Sequence, residues 1–281
     1  MKLKKNIEIN FGDISIYVNK IFIPEHGLVN DYQAGEKIQG DMSYNIPIIS
    51  LYGNNKFPKK NDIEGLDALL FDIQDIGSRY YTYVSTLTNV MESCAKHNIP
   101  LYVLDRPNPI NGTKVEGPLL DLDFSSFVGM HRIPIRHGMT IGELAYMINE
   151  KKWLVNGYVD LNIIKMQGWS RNMYFENTGK KWVAPSPNIP DNNTAFIYSG
   201  MCLIEGTNLS EGRGTDMPFR YFGAPWLDSE KLLLELSSIN LQGVKFNKVE
   251  FIPRFMPHRA VYPKFMDQTC NGLEVIITDR N

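Results

Sequence analysis

Glu25 has the most suggestive chemical setting in the chain: it follows Pro24 at the end of an apolar run and precedes His26 and Gly27. A side chain that gives or takes a proton must be held rigidly, and a loop anchored on a strand end can do that. Taken alone, the pattern fits a surface carboxylate closing a strand better than a catalytic acid. His26 has no triad partner in view and fits a side chain that hydrogen-bonds its own loop. Asp72 and Asp75 flank Gln74 but supply too few oxygens for a calcium site, so structural hydrogen bonding is the simpler reading. Arg79 precedes Tyr80-Tyr81-Thr82-Tyr83, and aromatic faces beside hydrogen-bonding groups suit a sugar, whose C–H faces stack while its hydroxyls bond. Tyr81 fits that role and helix burial equally, whereas Tyr83 fits the core. The segment from Glu205 to Thr215 (EGTNLSEGRGT) crowds carboxylates, an amide, hydroxyls and a guanidinium between glycines, as either a ligand loop or a capping network. His131 and His137 have no Cys or Asp at metal spacing and read as structural. No GxSxG elbow, P-loop or GxGxxG is present, which removes the cheapest support for serine hydrolase and nucleotide chemistry.

The elements that must position these groups follow from apolar periodicity. Residues 15–23 (SIYVNKIFI) read as one strand opening into the PEHG loop, and 46–52 as a second strand. Residues 66–72 (LDALLFD) and 99–105 (IPLYVLD) are apolar on both faces, in the manner of buried parallel strands. Between them Tyr80, Tyr83, Val84, Leu87, Met91 and Cys94 recur at helical spacing up to about His97, with Ser85, Glu92 and Lys96 on the polar face. The strand–helix–strand unit predicts a doubly wound α/β sheet, with ligands outside the carboxyl ends of its strands. A helix over 140–152 opens with Thr140 and Glu143 at capping-box spacing, and a strand over 159–166 follows. Beyond the Pro- and Asn-rich stretch 184–193, helices are expected near 194–203 and 228–237, and strands near 244–252 and 273–278.

Composition excludes other classes. With Lys+Arg 29 against Asp+Glu 31 and a net charge of −2, nothing suggests nucleic acid. Hydrophobic residues at 43% and charged residues at 21% are those of an ordinary globular chain. Cys94, Cys202 and Cys270 are scattered and odd in number, so neither zinc nor a disulfide scaffold is expected. No apolar run approaches the ~20 residues of a membrane span. Met1-Lys-Leu-Lys-Lys5 has the charge of an export signal but no apolar stretch follows, so none is expected.

Taken in order, PEHG (24–27), DYQAGE (31–36), SLYG (50–53), FDIQDIGSRYYTY (71–83), LDRPNPINGTKVEGP (104–118), SSFVG (125–129), RHGMTIGELA (136–145), PSPNIP (185–190) and EGTNLSEGRGT (205–215) resemble the bacterial exo-β-N-acetylmuramidase family, NamZ-like glycoside hydrolases formerly a domain of unknown function. The resemblance implies a Rossmann-like, doubly wound, mostly parallel sheet over 1–190 and a smaller α+β C-terminal domain over 191–281, with the active site in the cleft between them. It implies hydrolysis of non-reducing-end β-N-acetylmuramic acid from peptidoglycan-derived disaccharides and muropeptides in cell-wall recycling, with no cofactor and no metal. The family's proposed catalytic glutamate matches Glu25, which would protonate the glycosidic oxygen, burial raising its affinity for the proton. Candidates for binding and orienting the sugar are His26, Asp31, Arg79, Tyr81, Asn108, His137, Asn188 and Arg213. The second acid is open among Asp72, Asp75, Glu116, Glu205 and Glu211, or the substrate's own acetamido group. Family chains begin with a further strand and loop and continue past the strand matching 273–279, so this chain is expected to be shortened at both ends. Family members are often exported, which leaves the compartment open. The alternative is a non-catalytic or decayed fragment that binds cell-wall sugars.

Overall fold

The computed structural model describes residues 7–11, 14–27 and 46–280, with side chains from residue 16 onward; Asp31 and the DYQAGE stretch lie outside the described residues. The run expected as one strand over 15–23 is divided between two sheets. β1 (Ile7–Phe11) pairs antiparallel with β2 (Ile14–Val18), whereas β3 (Ile21–Ile23) pairs in parallel with β4 (Ile48–Ser50). The break falls at Asn19 and Lys20. The Lys20 ammonium donates to the carbonyls of Asn61 and Asp62 at 3.1 and 2.6 Å, in the short helix α1 (Lys60–Ile63), so the chain changes neighbours there.

β5 (Leu69–Phe71), α2 (Tyr83–His97) and β6 (Leu101–Leu104) realise the expected strand–helix–strand unit, and β7 (Leu161–Ile164) adds in parallel beside β6. Register sets Leu69 against Leu101 and Phe71 against Val103, and all four are buried. They pack on Val84, Leu87 and Met91 of α2 and on Leu144 and Ile148 of α3 (Ile141–Glu150), so the helical spacing read from the sequence is the core face. Full burial of such side chains stabilises by roughly 1.5–3 kcal/mol each. The opposite face departs from expectation, since Leu70, Tyr102 and Ile164 are 57%, 38% and 51% exposed. Among the described residues, α2 and α3 both lie against the inner face, which leaves the outer one bare.

α2 begins at Tyr83 rather than Tyr80, because residues 78–82 are tied elsewhere: the Arg79 N–H donates to the Ile135 carbonyl at 2.8 Å and Tyr81 closes a turn on Ser78 at 3.0 Å. Ser85, expected on its polar face, is buried. Loops cover that side of the helix, with Asn89 Nδ2 donating to the Lys56 carbonyl at 3.0 Å and Thr88 bonding His131 at 2.8 Å. The capping box of α3 forms as the sequence predicts, with Thr140 Oγ1 accepting from Glu143 N at 3.2 Å and Glu143 Oε2 accepting from Thr140 N at 3.0 Å.

The C-terminal part is a separate antiparallel sheet in the order β8–β10–β9, formed by β8 (Tyr221–Ala224), β9 (Val244–Phe251) and β10 (Cys270–Ile277). α5 (Ser229–Ile239) packs against it. α4 (Asn192–Met201) joins the two parts: Ala195 and Tyr198 pack with Tyr81 and Tyr83, while Ile197 packs with Phe222 and Leu273. One helix thus carries contacts to both cores.

Candidate active site

The carboxyl end of β3, the approach to α2 and the C-terminal part converge on a recess of about 100 Å³, or about 490 Å³ with its open mouth. Glu25 and His26 enter it from β3, Tyr80, Tyr81 and Thr82 from the turn before α2, and Ser186 and Asn188 from the loop before α4. Tyr198, Glu205, Arg213 and Phe219 close the other side, with Val128 at the edge.

On the sheet side Glu25 is 6% exposed, and its Oε2 accepts a hydrogen bond from the Thr82 hydroxyl at 2.8 Å. The next residue, Tyr83, donates its phenol proton to the Pro185 carbonyl at 2.7 Å and lies 3.3 Å from the Glu25 carbonyl. That contact ties the β3 loop to the segment carrying Ser186 and Asn188. His26 takes a left-handed backbone, φ 75°, an uncommon conformation for a residue with a Cβ and one that concentrates at functional sites. Its ring meets Tyr83 edge-on at 6.5 Å. Tyr81, Tyr198 and Phe219 continue the aromatic floor, with centroid separations of 6.1 and 4.8 Å. Burial, then the neighbouring phenol of Tyr83, pushes the Tyr81 hydroxyl far above its ordinary pKa, and burial does the same to Tyr198. Both therefore stay protonated and able to donate.

The far wall is ionic. Arg213 Nη2 bonds Glu205 Oε1 at 2.8 Å, its Nε faces Glu211 Oε1 at 3.5 Å, and its guanidinium lies 5.1 Å over the Phe219 ring. Burial works against the Arg213 charge, but Glu205 and then Glu211 outweigh it and hold the group protonated above its ordinary value. The flanking glycines make this turn possible: Gly212 and Gly214 have φ of +78° and +81°, and a Cβ would meet Tyr221 O at 2.7 Å and Arg254 O at 2.7 Å respectively. Behind the wall, the Lys264 ammonium sits in a cage of backbone carbonyls. It donates to Glu205, Thr207 and Leu209 at 2.9, 2.9 and 3.0 Å, and to Ile204 at 3.3 Å, with Glu211 Oε2 at 3.5 Å. A lysine there neutralises the negative end of the 3₁₀ turn Cys202–Gly206 that extends α4.

Of the residues singled out from sequence, the recess gathers Glu25, His26, Tyr81, Asn188, Glu205 and Arg213. Glu211 lies just behind Arg213. Asn188 Nδ2 is committed to the Arg259 carbonyl at 2.8 Å. Arg79, Asn108 and His137 do not line it. Arg79 donates to the carbonyls of Pro118 and Ile133, and Asn108 bridges Met139 O and Ile110 N at 3.0 and 3.1 Å. His137 Nδ1 accepts from Met139 N at 3.2 Å, while its Nε2 is 3.4 Å from Asp75 Oδ2. Asp75 also accepts from Gly77 N at 2.7 Å, so these four side chains brace the loops beneath the site. Asp72 pairs with Arg106 at 2.6 Å on the surface, and Glu116 pairs with Arg136 at 2.6 Å beside a separate recess of about 330 Å³. Thr82, Ser186, Tyr198 and Phe219 line the site without having been singled out; Thr82, within the RYYTY run, and Ser186, within PSPNIP, lay in motifs already noted, whereas Tyr198 and Phe219 carried no signal.

Comparison with known proteins places the chain in one family. Residues 2–193 match the family described as exo-beta-N-acetylmuramidase NamZ, N-terminal, and residues 196–281 its C-terminal counterpart. The chain is 42% identical to the peptidoglycan beta-N-acetylmuramidase NamZ of Bacillus subtilis (strain 168) over 281 residues, 99% of this chain and 66% of that protein. Two crystal structures of DUF1343 family proteins from Bacteroides fragilis NCTC 9343 are similar. One has a TM-score of 0.81 at 38% identity, covering 92% of this chain and 65% of that one. The other has a TM-score of 0.72 at 34% identity, covering 90% and 63%. The chain thus spans just under two thirds of each relative's length. With both family regions matched in order along nearly its whole length, the chain belongs to the NamZ exo-β-N-acetylmuramidase family.

Proposed function

We propose that this protein hydrolyses the bond to a non-reducing-end β-N-acetylmuramic acid in peptidoglycan fragments, for cell-wall turnover and recycling. The observation that carries the reading is the buried Glu25 carboxylate in a recess floored by tyrosines and faced by Arg213. Glu25 serves as general acid: its proton passes to the glycosidic oxygen as the C–O bond breaks and the ring gains oxocarbenium character. Water then supplies the new anomeric hydroxyl and the proton that restores the enzyme. The aromatic floor stacks the sugar, and its un-ionised phenols donate to hydroxyls. Arg213 suits the lactyl carboxylate that distinguishes muramic acid from glucosamine, since a guanidinium binds a carboxylate through two parallel donors. Among the five second-acid candidates, Glu205 shares the recess with Glu25; bound to Arg213, it fits an anion that supports the positive ring better than a mobile base. Arg79, Asn108, His137 and Asp75 hold loops rather than substrate on this reading. The domain division near residue 190 is part of the same proposal, supported by the step between the two family regions at 193 and 196.

The test is release of 4-nitrophenol from 4-nitrophenyl β-N-acetylmuramide, with the N-acetylglucosaminide as control. Turnover of the muramide alone, reduced at least ~10²-fold in Glu25→Gln, is expected. A folded wild-type chain that binds muropeptides without hydrolysing either substrate would replace this reading with the binding-fragment alternative.

A further inference from the structure

Thr82 breaks a local rule at the site. It is the N-cap of α2, a position whose hydroxyl ordinarily accepts from a first-turn N–H, yet it makes no such bond. Its single proton goes to Glu25 Oε2 at 2.8 Å, across 57 residues of sequence. The hydroxyl is well anchored for this, because its own carbonyl accepts from Thr86 N at 2.9 Å within α2, and β-branching restricts its rotation. The neighbouring Tyr83 packs beside the same glutamate, its phenol oxygen 3.3 Å from the Glu25 carbonyl while its proton goes to Pro185. Successive residues of one helix start therefore border both the side chain and the main chain of Glu25.

We infer that Thr82 is a positioning residue for the reaction, selecting which Glu25 oxygen carries the transferable proton; the inference rests on the general-acid reading of Glu25. An oxygen accepting from a hydroxyl is the acceptor of that pair, so Oε2 is taken and the proton resides on Oε1. Transfer from Oε1 to the glycosidic oxygen leaves a negative charge shared with Oε2, where the Thr82 bond strengthens as the charge develops. An interaction that tightens during the chemical step lowers the barrier without tightening substrate binding.

Thr82→Val removes the donor and keeps the shape, while Thr82→Ser keeps the donor. We expect the valine variant to lose roughly 10- to 100-fold in kcat with KM little changed, a hydrogen bond to a charged group being the interaction lost. The pH profile of kcat/KM should be displaced in the valine variant, and both effects should return to near wild type in the serine variant. Thr82→Ala, which adds no bulk, serves as the donor-free variant if valine does not melt cooperatively. An unshifted profile with kcat within twofold of wild type in a folded donor-free variant, beside an inactive Glu25→Gln, would overturn the Thr82 role alone. An active Glu25→Gln would instead overturn the general-acid reading beneath it.

Discussion

The two walls of the recess hold carboxylates in opposite ways. On the sheet side, the Glu25 carboxylate takes its hydrogen bond from a neutral hydroxyl, and no ion pair to it is found among the described residues. On the loop side, Glu205 and Glu211 face Arg213, and Glu211 also faces Lys264. On the reading proposed above, the sheet wall holds the acid and the loop wall recognises and balances charge.

The widest gap should therefore lie between matched variants of the two walls. Glu25→Gln is expected to cost ~10²- to 10⁴-fold in kcat/KM, and Glu205→Gln about tenfold, the latter carried by the loss of one charge facing the ring. Steady-state kinetics on the muramide checks both. Equal losses in the two variants would erase the division of labour and make Glu205 a full chemical partner.

A second contrast concerns acid. α2, which presents Thr82 and Tyr83, is braced by His131, whose ring stacks on Trp153 at 4.9 Å and bonds Thr88 at 2.8 Å. Thr88 already donates to the Val84 carbonyl at 2.9 Å, so the imidazole donates to Thr88 through Nε2. Burial lowers its pKa from 6.5 to about 4. Between those values the unfolded chain binds a proton that the folded chain refuses. Stability is therefore fully present above about 6.5 and falls as pH drops toward about 4, by about 3 kcal/mol in all. Thermal melts across this range should show a steeper loss in wild type than in His131→Phe, which keeps the stack and does not titrate. Parallel curves would remove His131 as the acid-sensitive brace of the sheet wall.

The same contrast explains what the sequence made legible. Tyr83, Val84, Leu87, Met91 and Cys94 could be read as one buried face because helical burial repeats at fixed spacing, and the Thr140–Glu143 cap because both partners lie in one turn. Glu25 was put forward by the family resemblance of PEHG, since its local frame of proline, histidine and glycine, taken alone, fitted a surface carboxylate better. Arg79, Asn108 and His137 look alike in sequence whether they face a sugar or the protein's own backbone, and only three-dimensional neighbours distinguish the two. β8 (YFGA) was missed because a glycine interrupts a strand of four residues, and the strand is secured by pairing with β10, 50 residues later. The division of 15–23 turned on Lys20 reaching α1, a contact that no periodicity encodes.

Lys264 was the least legible of all, since its role depends on four carbonyls 55 to 60 residues away. Replacing it by Met leaves those carbonyls facing an apolar side chain and removes a cation from beside Glu211. Because the side chain is 34% exposed, water can resolvate much of the cage, and the cost should be small, about 1 kcal/mol or ~2–4 °C in a melt. The informative readout is kinetic. Loosening residues 204–209 moves Glu205 and its bond to Arg213 while leaving the Glu25–Thr82 pair in place, so KM for the muramide should rise several-fold with kcat nearly unchanged. A fall in kcat at constant KM would mean that the loop wall takes part in the proton-transfer step, and the separation between the two walls would no longer hold.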